Sequence, residues 1–212
     1  MRLFAAADLH GKPQRFTAVV EGQRQSKADA VVLAGDILNY GRGRLFLPML
    51  EDLPVPVFIV RGNSDPARLD GWAAASRNVR SLHMDAVSFQ GVALAGISGT
   101  LPIPFRSRAG WRETRHLERL APLVDSRSIL VAHPPPFGCC DQVMGHFSAG
   151  SRGLLRLVRE TSPRVMICGH IHEAAGAARL GNTLVVNCAL GRHRRGAVIE
   201  IREGRPASAE MI

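Results

Sequence analysis

"VMICGHIH", residues 165–172, begins as four consecutive apolar residues and ends as two histidines around one isoleucine. An apolar run without polar alternation is how a strand covered on both faces reads. Gly169 ends the run, and His170 and His172 follow at once. A packed core has little use for two imidazoles there. A metal site uses both.

The same arrangement recurs along the chain. "RLFAAA" (2–7) leads to Asp8 and His10, "AVVLAG" (30–35) to Asp36, "VPVFIV" (55–60) to Asn63 and Asp65, and "SILVAH" (128–133) ends in His133. In open α/β sheets, ligands bind beyond the carboxyl ends of the strands. Five strands are therefore expected to deliver polar groups to one edge. Gly35, Gly62 and Gly169 would let the backbone turn and approach closely there. Asp-x-His and His-x-His can present alternate side chains on one side of an extended segment. Carboxylates, an amide oxygen and imidazoles suit Mn, Fe, Zn or Ni better than Ca or Mg.

The intervening segments fit an α/β reading. "PQRFTAVVEGQRQ" (13–25) places Phe16, Val19 and Val20 on one helical face. Residues 66–76 form a second helix candidate with proline in its first turn. Residues 151–161 form a third, capped by Ser151, buried through Leu154, Leu157 and Val158, and stopped by Pro163. The last third carries short strands, "AGAARL", "TLVVNCAL" and "GAVIEI", with Gly181-Asn182 turning a hairpin. "FQGVALAGI" is another glycine-turned pair. Residues 98–110 and 134–150 lack a regular pattern, and loops of that length are often functional.

Composition bounds the rest. At 212 residues and 46% hydrophobic, the chain can bury one substantial domain, read as 1–212. A charged fraction of only 21%, without low-complexity tracts, excludes a disordered chain. Cys139, Cys140, Cys168 and Cys188 show neither a disulfide framework nor zinc-type spacing. The amino-terminal apolar run is too short for a signal peptide, and no run approaches the ~20 residues of a membrane helix. A cytoplasmic protein without membrane partners is expected. The net charge of +9 is almost all arginine, with Lys12 and Lys27 the only lysines. A GC-rich genome accounts for that as readily as an anionic partner does. The charge is scattered, with short clusters at 106–108 and 192–195, so nucleic acid is not specifically indicated.

Taken in order, Asp8-x-His10, Gly35-Asp36, Gly62-Asn63-x-Asp65, His133 and Gly169-His170-x-His172 resemble the calcineurin-like metallophosphoesterase superfamily. The resemblance runs from residue 8 to about residue 188. It implies a four-layer α/β/β/α sandwich of two stacked mixed sheets around a dinuclear metal centre, Mn²⁺ foremost. By analogy, Asp8, His10 and His172 would hold one ion, and Asn63, His133 and His170 the other. Asp36 would bridge them, and Asp65 would orient a ligand or its loop. The implied chemistry is phosphate-ester hydrolysis by a metal-bridging hydroxide, with Asn63 and the ions stabilising phosphoryl charge.

One position departs from the pattern. Many members carry a histidine after the asparagine, where it contacts phosphate and assists the leaving group. Ser64 stands there in this chain. Losing an acid costs ~10²–10⁴-fold for poor leaving groups, which favours a small phosphodiester with a good leaving group. His146 in the 134–150 loop and His193 in "GRHRRG" are candidate substitutes, and Glu173 is a candidate partner of a ligand. Arg106, Arg108 and Arg192 could grip phosphate. His83 and His116 read as surface residues without supporting neighbours, and Trp72 and Trp111 as packing residues. Two alternatives stand beside the diesterase: a nuclease on DNA or RNA, and a non-catalytic scaffold on the same fold. The seven filled ligand positions weigh against the scaffold.

Overall fold

The structure, a computed structural model, describes residues 1–99, 110–192 and 195–212, without the side chains of 110–113. From the amino end run β1 (Arg2–Ala6), α1 (Pro13–Ser26), β2 (Ala30–Ala34), α2 (Pro48–Glu51), β3 (Val57–Val60), α3 (Arg68–Ala75) and β4 (Val79–Ser81). The hairpin of β5 (Asp85–Phe89) and β6 (Val92–Ile97), then α4 (Gly110–Leu120) and β7 (Ile129–Ala132), follow. Next come the short hairpin of β8 (Gln142–Val143) and β9 (Phe147–Ser148), α5 (Arg152–Thr161), β10 (Val165–Cys168) and β11 (Gly176–Leu180). The chain closes with β12 (Thr183–Asn187), β13 (Ala197–Glu200) and β14 (Ser208–Met211).

Two six-stranded mixed sheets form. The first has the order β14-β13-β1-β2-β3-β4, and the second β11-β12-β10-β7-β6-β5. The inner strands run parallel, as in Val32 opposite Phe58 and Met166 opposite Leu130; antiparallel pairs close both edges of the second sheet and the β13–β14 edge of the first, whose other edge, β4, runs parallel to β3.

Alternation along each strand decides the layers, because successive side chains point to opposite faces. Leu3 and Ala5 of β1 face Ile129, Val131, Val165 and Ile167 of the other sheet in a core between the two. Phe4 and Ala6 face outward onto Phe16 and Val19 of α1, with Leu50 and Leu69 from α2 and α3. On the far side, Leu130 and Met166 meet Leu117 and Leu120 of α4 and Leu154, Leu157 and Val158 of α5. Fully burying such a side chain stabilises by ~1.5–3 kcal/mol. The result is the expected α/β/β/α sandwich, and double coverage explains the unbroken apolar runs.

The helices end as the sequence indicates. Ser151 caps α5 by accepting from the Leu154 N–H at 2.9 Å, and Ser162 closes it in the left-handed conformation. Gly181 turns β11 into β12, with Leu180 opposite Thr183, and Gln90-Gly91 turns β5 into β6 at positive φ. The strands of the last third divide between the sheets: β13 pairs with β1, whereas β11 and β12 stay in the second sheet. Helices α2 and α4, strand β4 and the β8–β9 hairpin had no counterpart in the sequence reading. His83 and His116 require a correction. Their rings meet edge-on at 6.3 Å, and His83 Nδ1 accepts from the Ser98 N–H at 3.0 Å, so they are half-buried neighbours.

Candidate metal centre

Each inner parallel strand ends in a backbone turn that aims a polar residue at one edge. Asp8 (φ +62°), His10 (+50°), Asp36 (+52°) and His170 (+70°) all adopt the left-handed conformation. Such residues each cost ~1–3 kcal/mol and persist where surrounding structure over-determines them. Here main-chain bonds do so: Asp8 N–H to Gly35 O (2.9 Å), His10 N–H to Asp36 O (2.8 Å) and Gly169 N–H to His133 O (2.8 Å). The His170 N–H donates to Asp8 Oδ2 at 2.9 Å, joining the first sheet to the second across the site.

The seven side chains named by the sequence meet in one cluster. Asp8 Oδ1 lies 3.6 Å from His10 Nε2 and 3.3 Å from His172 Nε2. Asp36 Oδ2 lies 3.8 Å from His10 Nδ1 and 3.5 Å from His133 Nε2. His133 Nε2 is 3.2 Å from Asn63 Oδ1 and 3.1 Å from His170 Nδ1. The His10 and His172 rings stack nearly parallel at 5.7 Å. His133 is fully buried, whereas the His10 and His172 side chains keep 27% and 40% of their surface, so the cluster opens on the His10–His172 side.

The hydrogen-bond chemistry of this cluster fits a cation. His133 Nδ1 lies 2.8 Å from the Ala34 carbonyl, which only accepts, so Nδ1 carries the proton. Nε2 then turns toward Asn63 Oδ1, His170 Nδ1 and a carboxylate oxygen. Acceptor atoms converge from four residues, and a bound positive charge satisfies them together. Asp8 with His10 and His172, and Asp8 with Asp36 and His133, form groups compact enough to hold a metal ion.

Electrostatics points the same way. Burial works against ionisation of Asp36, but the His133 hydrogen bond outweighs it and brings the carboxyl to about 2. Burial likewise opposes ionisation of Asp8, yet His172 and His133 hold it below its ordinary value. Burial lowers His10 and His170 despite their acidic neighbours, keeping these imidazoles neutral. Burial disfavours a charged His133, but Asp36 raises its pKa nonetheless. The Asp8 hydrogen bond likewise raises His172, so ionised carboxylates stand beside neutral His10 and His170, while His133 and His172 hold protons that a bound cation would displace.

Comparison with known proteins decides the family. The model of the calcineurin-like phosphoesterase family matches residues 1–174. The chain belongs to the calcineurin-like phosphoesterase family. An uncharacterized protein of Methanocaldococcus jannaschii is 26% identical over 200 residues, 88% of this chain and 87% of that one. Among solved structures, a dimetal phosphatase from Danio rerio superposes with a TM-score of 0.71 at 14% identity, covering 100% of this chain and 95% of the other. A protein described as a novel archaeal phosphodiesterase gives 0.60 at 14% identity, with complete coverage of both chains. The family assignment makes this chain a metal-dependent phosphoester hydrolase.

Within the phosphoesterase site, several residues position others. Asp65 is buried, and its carboxylate accepts from the main-chain N–H groups of Leu38 (2.6 Å), Gly62 (2.9 Å) and Ile37 (3.1 Å). It thereby clamps the segment after Asp36 against the segment that carries Asn63. Ser64 donates its main-chain N–H to Asp36 Oδ1 (2.8 Å) and its hydroxyl to the Leu38 carbonyl (2.7 Å). A side chain at Gly62 would collide with the Asp36 carboxylate, and one at Gly169 with Asp8 Oδ2 and the Ala7 methyl.

Two supporting residues escaped the sequence reading. Asn187, at the end of β12, is fully buried and donates its amide to the carbonyls of Ile171 (2.9 Å) and Cys140 (3.1 Å). It fixes the peptide between His170 and His172. It follows the same apolar-run-then-polar rule as the others and was legible by it. Arg15 donates to the Asp8 carbonyl, and no sequence signal marks it.

The remaining candidates lie elsewhere. Glu173 turns away from the cluster and accepts from the Met144 N–H at 2.7 Å, so it anchors the β8–β9 hairpin beside His172. His146 is exposed on that hairpin, its ring against Phe147. Arg192 is exposed in a groove beside α1. Trp72 packs against the outer core of the first sheet. Arg106, Arg108, His193 and the Trp111 side chain lie outside the described residues.

Proposed function

We propose that this chain is a two-cation phosphodiesterase acting on a small phosphodiester. In this reading Asp8, His10 and His172 hold one ion, Asn63, His133 and His170 hold the other, and Asp36 bridges them. The observation that carries it is the placement of Asp36: one carboxylate oxygen lies within 4 Å of nitrogens from both sets, His10 Nδ1 and His133 Nε2. The dimetal phosphatase and the archaeal phosphodiesterase that share the fold support the reading. Mixed carboxylate, amide and imidazole donors favour Mn²⁺, with Fe, Zn or Ni as alternatives.

When bound, the ions supply an activated water nucleophile and positive charge for the phosphoryl oxygens. The protein supplies the rest. Asp36 and Asp8 keep their negative charge because histidines face them. Asn63 is exposed, and with its amide oxygen turned to His133, its NH₂ remains to hold a phosphoryl oxygen. Ser64 is only 4% exposed and its hydroxyl is spent on Leu38, so it supplies no acid to a leaving group. That favours diesters whose leaving oxygen departs without one.

The four cysteines are free, which suits a reducing cytoplasm. No helix among the described residues is long and apolar enough to cross a membrane. The reading takes residues 1–212 as one catalytic domain.

The test is hydrolysis of bis-p-nitrophenyl phosphate and p-nitrophenyl phosphate by metal-stripped protein with Mn²⁺ restored. Mn²⁺-dependent diester cleavage, with monoester cleavage weaker by at least about tenfold, is expected. Equal or faster monoester cleavage would show that another residue supplies the acid and would overturn the diesterase assignment.

A further inference from the structure

A groove of about 330 Å³ runs beside the candidate metal centre, between the first turns of α1 and the segment after β12. Lys12, Arg15, Arg192 and Arg195 line it, together with Glu21 and the apolar Leu190. Four cationic side chains therefore face one carboxylate. Arg195 lies 3.9 Å from Glu21, a distance at which two exposed groups attract only weakly. Lys12 and Arg192 have no carboxylate partner among the described residues, and both are exposed.

The groove shares its wall with the cluster. Arg15 donates to the carbonyl of Asp8 while its side chain lines the groove. The Leu190 N–H donates to the Ala7 carbonyl at 3.1 Å, and the Leu190 main chain lies close enough to the His172 ring to raise its pKa. The groove thus abuts the Asp8–His172 half of the site, the half left open to solvent. A substrate whose scissile phosphate sits over the centre can extend directly along it.

We propose that this groove binds a second phosphate of the substrate, carried on an arm of the phosphodiester beyond the scissile group. The inference rests on the phosphodiesterase reading and sharpens it to diesters with a further phosphate. Guanidinium groups bind phosphate oxygens in a fork and keep their charge at any working pH. A neutral arm gains nothing from Lys12, Arg192 and Arg195. A phosphorylated arm gains charge-assisted hydrogen bonds there. The volume exceeds what one phosphate needs and admits an adjoining sugar or linker. The second phosphate can belong to a small molecule or to a nucleic acid strand, which have this chemistry in common.

The test compares kcat/KM for a thymidine dinucleotide with and without a 5′-phosphate, using Mn²⁺-loaded protein at low ionic strength. Bis-p-nitrophenyl phosphate serves as the reference diester. Wild type is expected to favour the phosphorylated dinucleotide by about tenfold or more, as charged hydrogen bonds allow. The Arg192→Gln/Arg195→Gln double variant is expected to lose most of that preference, seen as a rise in KM for the phosphorylated substrate alone. Both positions are exposed, so folding should survive, and circular dichroism checks it. A ten-nucleotide thymidine strand identifies the source. A further gain that falls steeply with salt indicates a strand, and no gain over the phosphorylated dinucleotide indicates a small molecule. Cleavage of the reference diester with no preference for the 5′-phosphate, or a preference the double variant retains, would overturn the groove while leaving the phosphodiesterase intact. Failure to cleave any of these diesters would overturn both.

Discussion

The Asp65 carboxylate accepts the main-chain N–H of Leu38 at 2.6 Å, tying the loop after β2 to the loop after β3. The same carboxylate takes the N–H groups of Gly62 and Ile37, so one buried side chain serves three donors, two just after Asp36 and one from the loop that carries Asn63. Replacing it strands all three. Each unsatisfied buried donor costs ~1–3 kcal/mol, and water entry relieves part of the sum. Asp65→Ala is therefore expected to lose ~2–4 kcal/mol in urea unfolding of the metal-free protein. Asp65→Asn, which keeps one acceptor oxygen, should fall between. A loss below ~1 kcal/mol for the alanine variant would contradict the clamp.

Gly62 leaves no room for a side chain beside the Asp36 carboxylate. Its role is close approach, since its φ is not positive. Gly62→Ala should keep the far-ultraviolet circular dichroism of the wild type and reduce Mn²⁺-dependent diester hydrolysis by at least ~100-fold, as misplacement of a reacting group by about 1 Å does. Near wild-type turnover would show that the loop shifts freely and that Asp36 does not need this placement.

Asn187 holds the peptide between His170 and His172 through the Ile171 carbonyl. Asn187→Leu keeps the branched shape and removes both amide donors, leaving the Cys140 carbonyl without this partner and the Ile171 carbonyl with only the Ala174 N–H. Groups that orient a ligand typically contribute ~10–100-fold to metal affinity. A weakening in that range, read by competition with a chromophoric chelator, is expected. Unchanged affinity would make Asn187 a packing residue only.

Metal removal should destabilise the protein. Four left-handed residues and a set of converging acceptors are costly to maintain without a cation. A ligand at 100 times its Kd stabilises by ~2.7 kcal/mol, worth ~5–10 °C in Tm for a chain of this size. Chelation should lower Tm by about that much, and Mn²⁺ should restore it. Identical melting with and without the metal would mean that the cluster binds none.

The strand ends were legible because double coverage writes itself into the chain. "RLFAAA" and "VMIC" carry no polar residue between their first and last positions, and each leads into a turn that bears a candidate ligand. The four-layer sandwich was what the family resemblance implied, and the runs were consistent with it. Helix α4 was not legible: among its described side chains only Leu117 and Leu120 are buried, too few to show a period in a segment with five charged residues. Strand β4 is three residues long and presents one buried side chain. Glu173 misled through sequence proximity, because a single 3₁₀ turn at His172–Ala174 rotates it from the cluster toward Met144. The His83–His116 contact joins residues from separate elements, and no local pattern records it. Arg15 acts on a main-chain carbonyl, a partner that sequence never names.

Metal stoichiometry tests the central claim most directly. Wild type and Asp36→Asn, both dialysed against Mn²⁺ and then freed of unbound ion, would be assayed by elemental analysis. Two cations per wild-type chain, falling to one or none in the variant, is the result that a bridging Asp36 between two ligand sets predicts. A single cation in the wild type, or two retained in Asp36→Asn, would contradict the two-cation centre described for this site.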